Sequence, residues 1–407
     1  MARPSPGVHS RMPQSLVSRV LRPRRAAPAD AVRPTRAEIN LEAIRHNLRV
    51  VRKHAGRARV WAVLKADAYG HGAPAVARTL ERARCDGFCV ALLEEAIELR
   101  EAGIVAPILI MGGHYGNAHE EVVARGLLPV VYDLQQIAAF ARLVRTGSVS
   151  GPVDVHIKVD TGMARLGVTM HGLPKLVAQL AEYPEVRVVG LMTHLACADA
   201  PEQNETNEAM ARFEQALQVL SAHGVVPEVR HAANSAAVLR GSALLDAVRP
   251  GIALFGVSPH AGGQSLSGNL KSVMRVRTQI VALREIDSGA RIGYGATWSA
   301  PRPSRIATVP MGYADGLSRH LGNRGHMLVR GARAPIVGAV SMDMAMLDVT
   351  DIGGVCVGDE AVVLGAQDGP LGRSSIDADE IAAHADLIPW EVLTSISRRV
   401  PRFYREP

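Results

Sequence analysis

Between residues 60 and 254 the chain repeats one pattern eight times: a short apolar run, then a stretch with helical spacing. The runs fall at 60–64, 87–92, 107–111, 128–131, 153–159, 186–192, 228–230 and 247–254. Strands apolar along their whole length have both faces covered, and helices between them make the crossovers that parallel strands need. The helical stretches include 94–102, 207–223 and 173–182, the last with Pro174 at its first turn, where the missing N–H costs nothing. Eight strands alternating with helices predict a (β/α)8 barrel. A doubly wound open sheet competes, but no GxGxxG follows the first run.

After about residue 270 the runs are shorter, β-branched or apolar, and separated by Gly, Asp and Pro, at 273–280, 305–310, 326–329, 334–340, 345–349 and 360–364. They predict a mainly antiparallel β domain with a helix near 377–383. The fold class is therefore α/β, with an N-terminal TIM-type barrel over 38–268 and a C-terminal β domain over 269–407. The boundary falls in the Gly/Ser-rich stretch 259–268.

The formal net charge of +7 invites a nucleic-acid reading. Residues 1–36 hold eight Arg, no Lys and one Asp, so this tail alone carries +7 and the other 371 residues are formally neutral. Residues 1–35 read as a disordered basic extension with few contacts, too polar for a secretory core. No run is long enough to cross a bilayer. The four cysteines, Cys85, Cys89, Cys197 and Cys356, show no CxxC spacing. That favours a reducing, cytoplasmic setting and argues against a disulfide framework or a zinc site.

In a (β/α)8 barrel, chemistry gathers at the carboxyl ends of the strands. Lys65 stands at the end of the first run, Lys158 and Asp160 at the fifth, and His194 at the sixth. His231, Asn234 and Ser235 follow the seventh, and Arg249, Gly251 and Ile252 belong to the eighth. A lysine leaving an apolar strand is partly desolvated, which lowers its pKa and frees its amine for imine chemistry. Taken alone, a salt-bridged lysine is the commoner outcome. The glycines of Tyr69-Gly70-His71-Gly72 favour a ligand, because they let backbone approach one closely. Loops after the last two strands often bind phosphate through backbone N–H groups. A lysine amine facing an anion cradle suits pyridoxal phosphate. Arg249 could face its pyridine nitrogen and, unable to release a proton, keep that nitrogen unprotonated; an ordinary structural ion pair explains Arg249 equally well on local grounds.

The run Ala-Val-Leu-Lys-Ala-Asp-Ala-Tyr-Gly-His-Gly at 62–72 resembles the cofactor-lysine signature of alanine racemases. The resemblance continues through Lys-Val-Asp-Thr-Gly-Met-Ala-Arg-Leu-Gly at 158–167, Met-Thr-His at 192–194, Ala-Asn-Ser at 233–235 and Arg-Pro-Gly-Ile at 249–252. It ends with Gly-Tyr-Gly-Ala-Thr at 293–297, Met-Gly-Tyr-Ala-Asp-Gly at 311–316, Ser-Met-Asp at 341–343 and Arg-Val-Pro-Arg-Phe-Tyr at 399–404. These span 38–405 in the family's order. Each is weak alone; together they are highly specific.

The resemblance implies a pyridoxal-phosphate enzyme that interconverts L- and D-alanine and supplies D-alanine for peptidoglycan. It also implies a head-to-tail homodimer in which each active site joins one barrel to the other chain's β domain. Lys65 would carry the cofactor as a Schiff base and act as base on one face of the substrate, and Tyr294 of the partner subunit would act on the other. His194 and Arg249 would lie near that tyrosine and favour its phenolate. Tyr69, Asn234, Ser235, Gly251, Ile252 and Tyr404 would hold the cofactor, chiefly its phosphate, and Arg165 would brace its phenolic oxygen and meet the substrate. Tyr313, Met342 and Asp343 would line the substrate entrance, Lys158 would be carbamylated opposite Arg165, and no metal is expected. Asp67, Ala164, Ser341 and Met344 depart from the common Asn, Gly, Cys and Gln.

Other readings are a broader-specificity or serine racemase, a related ornithine or diaminopimelate decarboxylase, a pyridoxal-phosphate carrier protein and a DNA-binding tail. The decarboxylase would bring a cysteine motif from the second domain, and nothing around Cys356 resembles one. The carrier resembles the barrel alone and lacks a β domain. Tyr313 and Tyr404 as pocket walls would favour a small side chain.

Overall fold

The structure, a computed structural model, describes residues 31–113, 115–200, 202, 204–260 and 269–406. Most of the basic extension, and most of the Gly/Ser-rich boundary stretch, lie outside the described residues.

Eight parallel strands close into a barrel in the order Arg59–Val63, Gly87–Val90, Ile108–Ile110, Leu128–Val131, Val153–Asp160, Val186–Met192, Val229–His231 and Ala247–Val248, the last pairing back to the first. Val60, Trp61, Ala62 and Val63 are all buried, as expected when helices cover the outside and side chains fill the inside. The eighth strand is shorter than its apolar run suggests. Pro250 interrupts it, and Ile252–Phe255 turns into a 3-10 helix.

The second domain is a ten-stranded sheet, antiparallel apart from one pair. One of its inner strands, Arg36–Asn40, precedes the whole barrel in sequence. It runs antiparallel to Met274–Gln279 and parallel to Arg402–Arg405. Its Glu38, 3 % exposed, is ringed by Arg277 at 2.7 Å, Arg405 at 2.8 Å and Arg275 at 3.2 Å. Asn40 ends that strand and caps the helix Leu41–Ala55 by accepting from the Ala43 N–H. One dipeptide thus hands the chain from the β domain to the barrel.

Residues 31–35 correct the expectation of a loosely tied extension. Arg33 donates to both oxygens of Asp315 at 2.6 and 2.9 Å, and Thr35, fully buried, donates to the Pro310 carbonyl at 2.7 Å. Asp315 is inaccessible to solvent, and a buried carboxylate needs cationic partners. Among the described residues, no helix is long and apolar enough to cross a membrane.

Candidate active site

A cavity of about 230 Å³ opens at the carboxyl ends of the barrel strands. Lys65, Tyr69, His194, Asn234, Ser235, Arg249, Gly251 and Ile252, distant in sequence, all line it.

Lys65 stands just past the strand Arg59–Val63, where the backbone makes a left-handed turn. Ala66, Asp67, Ala68 and Tyr69 all have φ between 51 and 57°. Non-glycine residues avoid this region at about 1–2 kcal/mol each, so the turn persists because its surroundings hold it. Glu95 accepts the Ala66 N–H at 2.6 Å through one oxygen and the Ala91 and Leu92 N–H groups through the other. Asp67 accepts the Ala73 N–H at 2.8 Å, and Arg402 donates to the Gly70 carbonyl at 2.9 Å. The turn points the Tyr69 ring inward, where it packs against Phe255 with ring centres 4.9 Å apart.

A cradle forms where Tyr69 meets Gly251. A Cβ on Gly251 would collide with the Tyr69 hydroxyl and sit 2.9 Å from its Cζ. Ser235 Oγ accepts the Gly251 N–H at 2.8 Å and the Ala253 N–H at 3.3 Å. Asn234 caps the helix Ser235–Arg240. The Tyr69 hydroxyl, the Ser235 hydroxyl braced by the Gly251 and Ala253 N–H groups, and the Ile252 N–H form a compact donor set of the kind that holds a phosphate.

Opposite the cradle the site is densely cationic. Burial, then the Arg165 charge, lowers the Lys65 pKa, against a small opposing pull from Glu95. Lys158, 6 % exposed, is pushed down to about 8, first by burial and then by Arg165 and Arg249. His194 falls to about 3, chiefly through desolvation and the surrounding cations, and so is a neutral ring. Arg165 is exposed at the rim. The site thus offers a lysine amine whose pKa is lowered, an anion cradle and several fixed positive charges.

Arg249 is held from beneath. It donates to the Thr193 carbonyl at 2.6 Å, to the Ala232 carbonyl at 3.1 Å and to His231 Nδ1 at 2.7 Å. A guanidinium only donates, so His231 Nδ1 is bare and its proton sits on Nε2, 2.8 Å from His156 Nδ1. Burial keeps both rings neutral, His156 down to about 3 and His231 well below its usual value. His156 fits because its strand neighbour is Gly190, whose Cβ would occupy the same space as the imidazole. His156, Glu95, Met111, Met163, Asp199 and Trp390 were not read from the sequence as site residues. Trp390, from the second domain's helix Pro389–Ser395, forms one wall of the cavity. Only the His-x-Lys run at 156–158, which puts both side chains on one strand face, could have pointed to His156.

The structure does not bring the remaining sequence candidates to this cavity. Tyr294, 73 % exposed, lies on a short turn of the β domain, and Tyr313 and Met342 are also exposed. Asp343 pairs with Arg399 at 2.8 Å. Tyr404 is a correction. Exposure rises along the strand Arg402–Arg405, so Arg402 is buried against the lysine turn while Tyr404, two residues nearer the chain end, is 39 % exposed. It lines a separate hollow with Arg78 and Arg82.

Residues 39–259 match the description "Alanine racemase, N-terminal domain", and residues 273–404 match "Alanine racemase, C-terminal domain". The chain is 62 % identical to the alanine racemase of Sorangium cellulosum over 383 residues, 92 % of this chain and 100 % of the relative. A Bacillus anthracis alanine racemase solved with bound L-Ala-P superposes with a TM-score of 0.85 at 32 % identity, covering 92 % of this chain and 96 % of that one. A Bartonella henselae alanine racemase with covalently bound pyridoxal phosphate gives a TM-score of 0.82 at 32 % identity, with 91 % and 99 % covered. Barrel, β domain and cavity thus occur together with a match along nearly all the described chain, and the chain belongs to the alanine racemase family.

Proposed function

We propose that this chain interconverts L-alanine and D-alanine in a site shared between two copies of itself, with pyridoxal phosphate as cofactor. The observation that carries the reading is the cavity that pairs the Lys65 amine with the Tyr69–Ser235–Gly251 cradle. Lys65 would hold the cofactor covalently. Tyr69, Asn234, Ser235, Gly251 and Ile252 would hold its phosphate, and Arg249, Arg165 and His194 its ring. The cofactor, when bound, supplies an electron sink that acidifies the substrate's Cα–H. Arg249 contributes a cation that cannot donate its proton away, and the His231–His156 pair keeps it in place.

Racemisation needs a proton removed from one face and delivered to the other, and a single fixed base tends to return it to the face it left. The lowered Lys65 pKa suits one of these tasks. Tyr294, exposed on the β domain, is available to serve another chain's cavity. The second base is Tyr294 of the partner subunit, with Tyr313, Met342 and Asp343 around the entrance. The exposed aromatic and sulfur side chains of these turns favour covering by another chain.

Lys158 is carbamylated in this reading. At about 8 its pKa leaves a usable fraction of free amine, which attacks carbon dioxide and loses a proton to give an anion. An anion at this position would offset the combined charge of Lys65, Arg165 and Arg249. Barrel residues 38–268 hold the cofactor and residues 269–407 complete the partner's site. The same reading makes the chain a cytoplasmic supplier of D-alanine for peptidoglycan.

The test is incubation of L-alanine with the cofactor-loaded enzyme in deuterium oxide. Formation of D-alanine with α-deuterium, and the reverse from D-alanine, is expected. Release of ethylamine and carbon dioxide would move the chain to the decarboxylases. Turnover of L-lysine comparable to that of L-alanine would contradict a small-side-chain pocket.

A further inference from the structure

Away from the cavity, on the β domain, His326, Glu380 and His384 bring one ligand atom each within 4.8 Å of one another. His326 opens the strand His326–Val329, while Glu380 and His384 sit on the helix Ala378–Ala385. Positions four apart lie one above the other on a helix face. Asp377 caps that helix by accepting the Glu380 N–H at 2.8 Å, which fixes the turn bearing the glutamate.

The two imidazoles are 6.1 Å apart between ring centres, too far for a direct hydrogen bond. The Nδ1 of His326 is sealed from solvent and has no hydrogen-bond partner. A buried, unsatisfied ring nitrogen costs about 1–3 kcal/mol, and a shared ion between the rings removes that cost.

We propose that His326, Glu380 and His384 bind one late first-row divalent cation of the zinc–nickel class, joining the helix Ala378–Ala385 to the sheet. Two imidazole nitrogens and one carboxylate oxygen suit these ions, whereas magnesium and calcium prefer oxygen donors alone. Both rings bind in the neutral form. Burial, followed by the Arg333 charge, lowers the His326 pKa and so favours that form.

Arg333 is the competing cation, since its guanidinium grips both oxygens of Glu380 and also donates to the Ser375 carbonyl at 2.8 Å. A carboxylate has about four lone-pair sites. Glu380 can therefore accept from Arg333 on its outer edge and ligate with the inner one, and the guanidinium orients the ligand as partners of metal-bound carboxylates do. The sequence hides this site because the strand and helix that carry its ligands are far apart in the chain.

The experiment uses the full-length, cofactor-loaded enzyme after treatment with a chelator. Zinc in excess is expected to bind one ion per chain and raise Tm by about 5 °C, with no effect of magnesium. Cobalt in its place should give the visible absorption of a nitrogen- and oxygen-ligated ion. His384→Ala and His326→Gln should each lose the bound ion and the Tm rise while keeping racemase activity, and Glu380→Gln should weaken binding at least tenfold. Should the alanine variant misfold, His384→Asn gives the same readout. Zinc stoichiometry and Tm response unchanged in the histidine variants, or no binding to the parent enzyme, would overturn the proposal.

Discussion

Arg33 lies before the span matched to the family, yet it inserts into the most buried carboxylate near the entrance turns. Asp315, with no exposed surface, accepts two hydrogen bonds from Arg33, accepts the Gly312 N–H at 3.1 Å and lies 3.5 Å from Arg399. Arg399 in turn holds Asp343 at 2.8 Å. Arg33→Ala removes the two-pronged cation on that carboxylate. Leaving a buried charge unpaired costs about 3–5 kcal/mol. Arg33 is 28 % exposed and Arg399 remains, so the expected loss is smaller, about 2–3 kcal/mol. For a chain of this size that lowers Tm by roughly 2–4 °C. The assay compares thermal unfolding of the parent enzyme, a truncation lacking residues 1–30 and Arg33→Ala. The truncation should match the parent, Arg33→Ala should fall by the stated amount, and Arg33→Lys should recover only part of the loss because it cannot span both oxygens. KM for alanine should also rise in Arg33→Ala, since Tyr313 and Asp343 hang from the same hub. An Arg33→Ala protein as stable as the truncation would refute the reasoning.

Three further outcomes follow from the site. Gly251→Ala should weaken pyridoxal phosphate binding at least tenfold, seen by titrating the cofactor's visible absorption, because its Cβ displaces Tyr69 from the cradle; unchanged affinity would mean that no cradle exists there. His71, His156 and His231 are fully buried as neutral rings, His71 held down to about 4 and His156 to about 3, both chiefly by desolvation. Their depressed values mean the unfolded chain binds protons that the folded chain refuses. Stability is therefore unaffected above pH 6.5 and falls as the pH drops below it. At pH 5.5 the loss is about 1.4 kcal/mol per ring, or roughly 4 kcal/mol for the three. Denaturant midpoints that stay flat from pH 7.5 to 5.5 would contradict this. Lys158 should retain isotopically labelled carbon dioxide as a carbamate by NMR, and Lys158→Ala should abolish the signal; a parent enzyme without the signal would count against carbamylation.

The barrel was legible because its strands are apolar along their length. The runs at 128–131 and 186–192 coincide with the observed strands, while 247–254 does not, since Pro250 and Gly251 break the ladder to form the cradle. The strand Arg36–Asn40 was hidden for a different reason. Its partners are more than two hundred residues away, and local pattern carries no information on such pairing. Lys65 and the strand-end set could be read because topology brings strand ends together. Glu95 and Trp390 could not, because each acts by packing or bonding from a position whose local sequence is ordinary, and His156 had only its spacing from Lys158 to mark it. Tyr404 shows the converse: a motif match points to the residue, while its place near the outer end of its strand puts it in a separate hollow with Arg78 and Arg82. Arg33 was read as part of a charged tail, and only the buried Asp315 shows why it is anchored.

If two chains build each site, as proposed, subunit mixing restores activity that neither parent variant has. Lys65→Ala and Tyr294→Phe enzymes should each be nearly inactive alone. Dissociated and reassociated in equal amounts, half of the dimers are mixed, and each mixed dimer has one intact site, so about a quarter of the parent activity should return. No recovery on mixing, or full activity in a demonstrated monomer, would contradict the account.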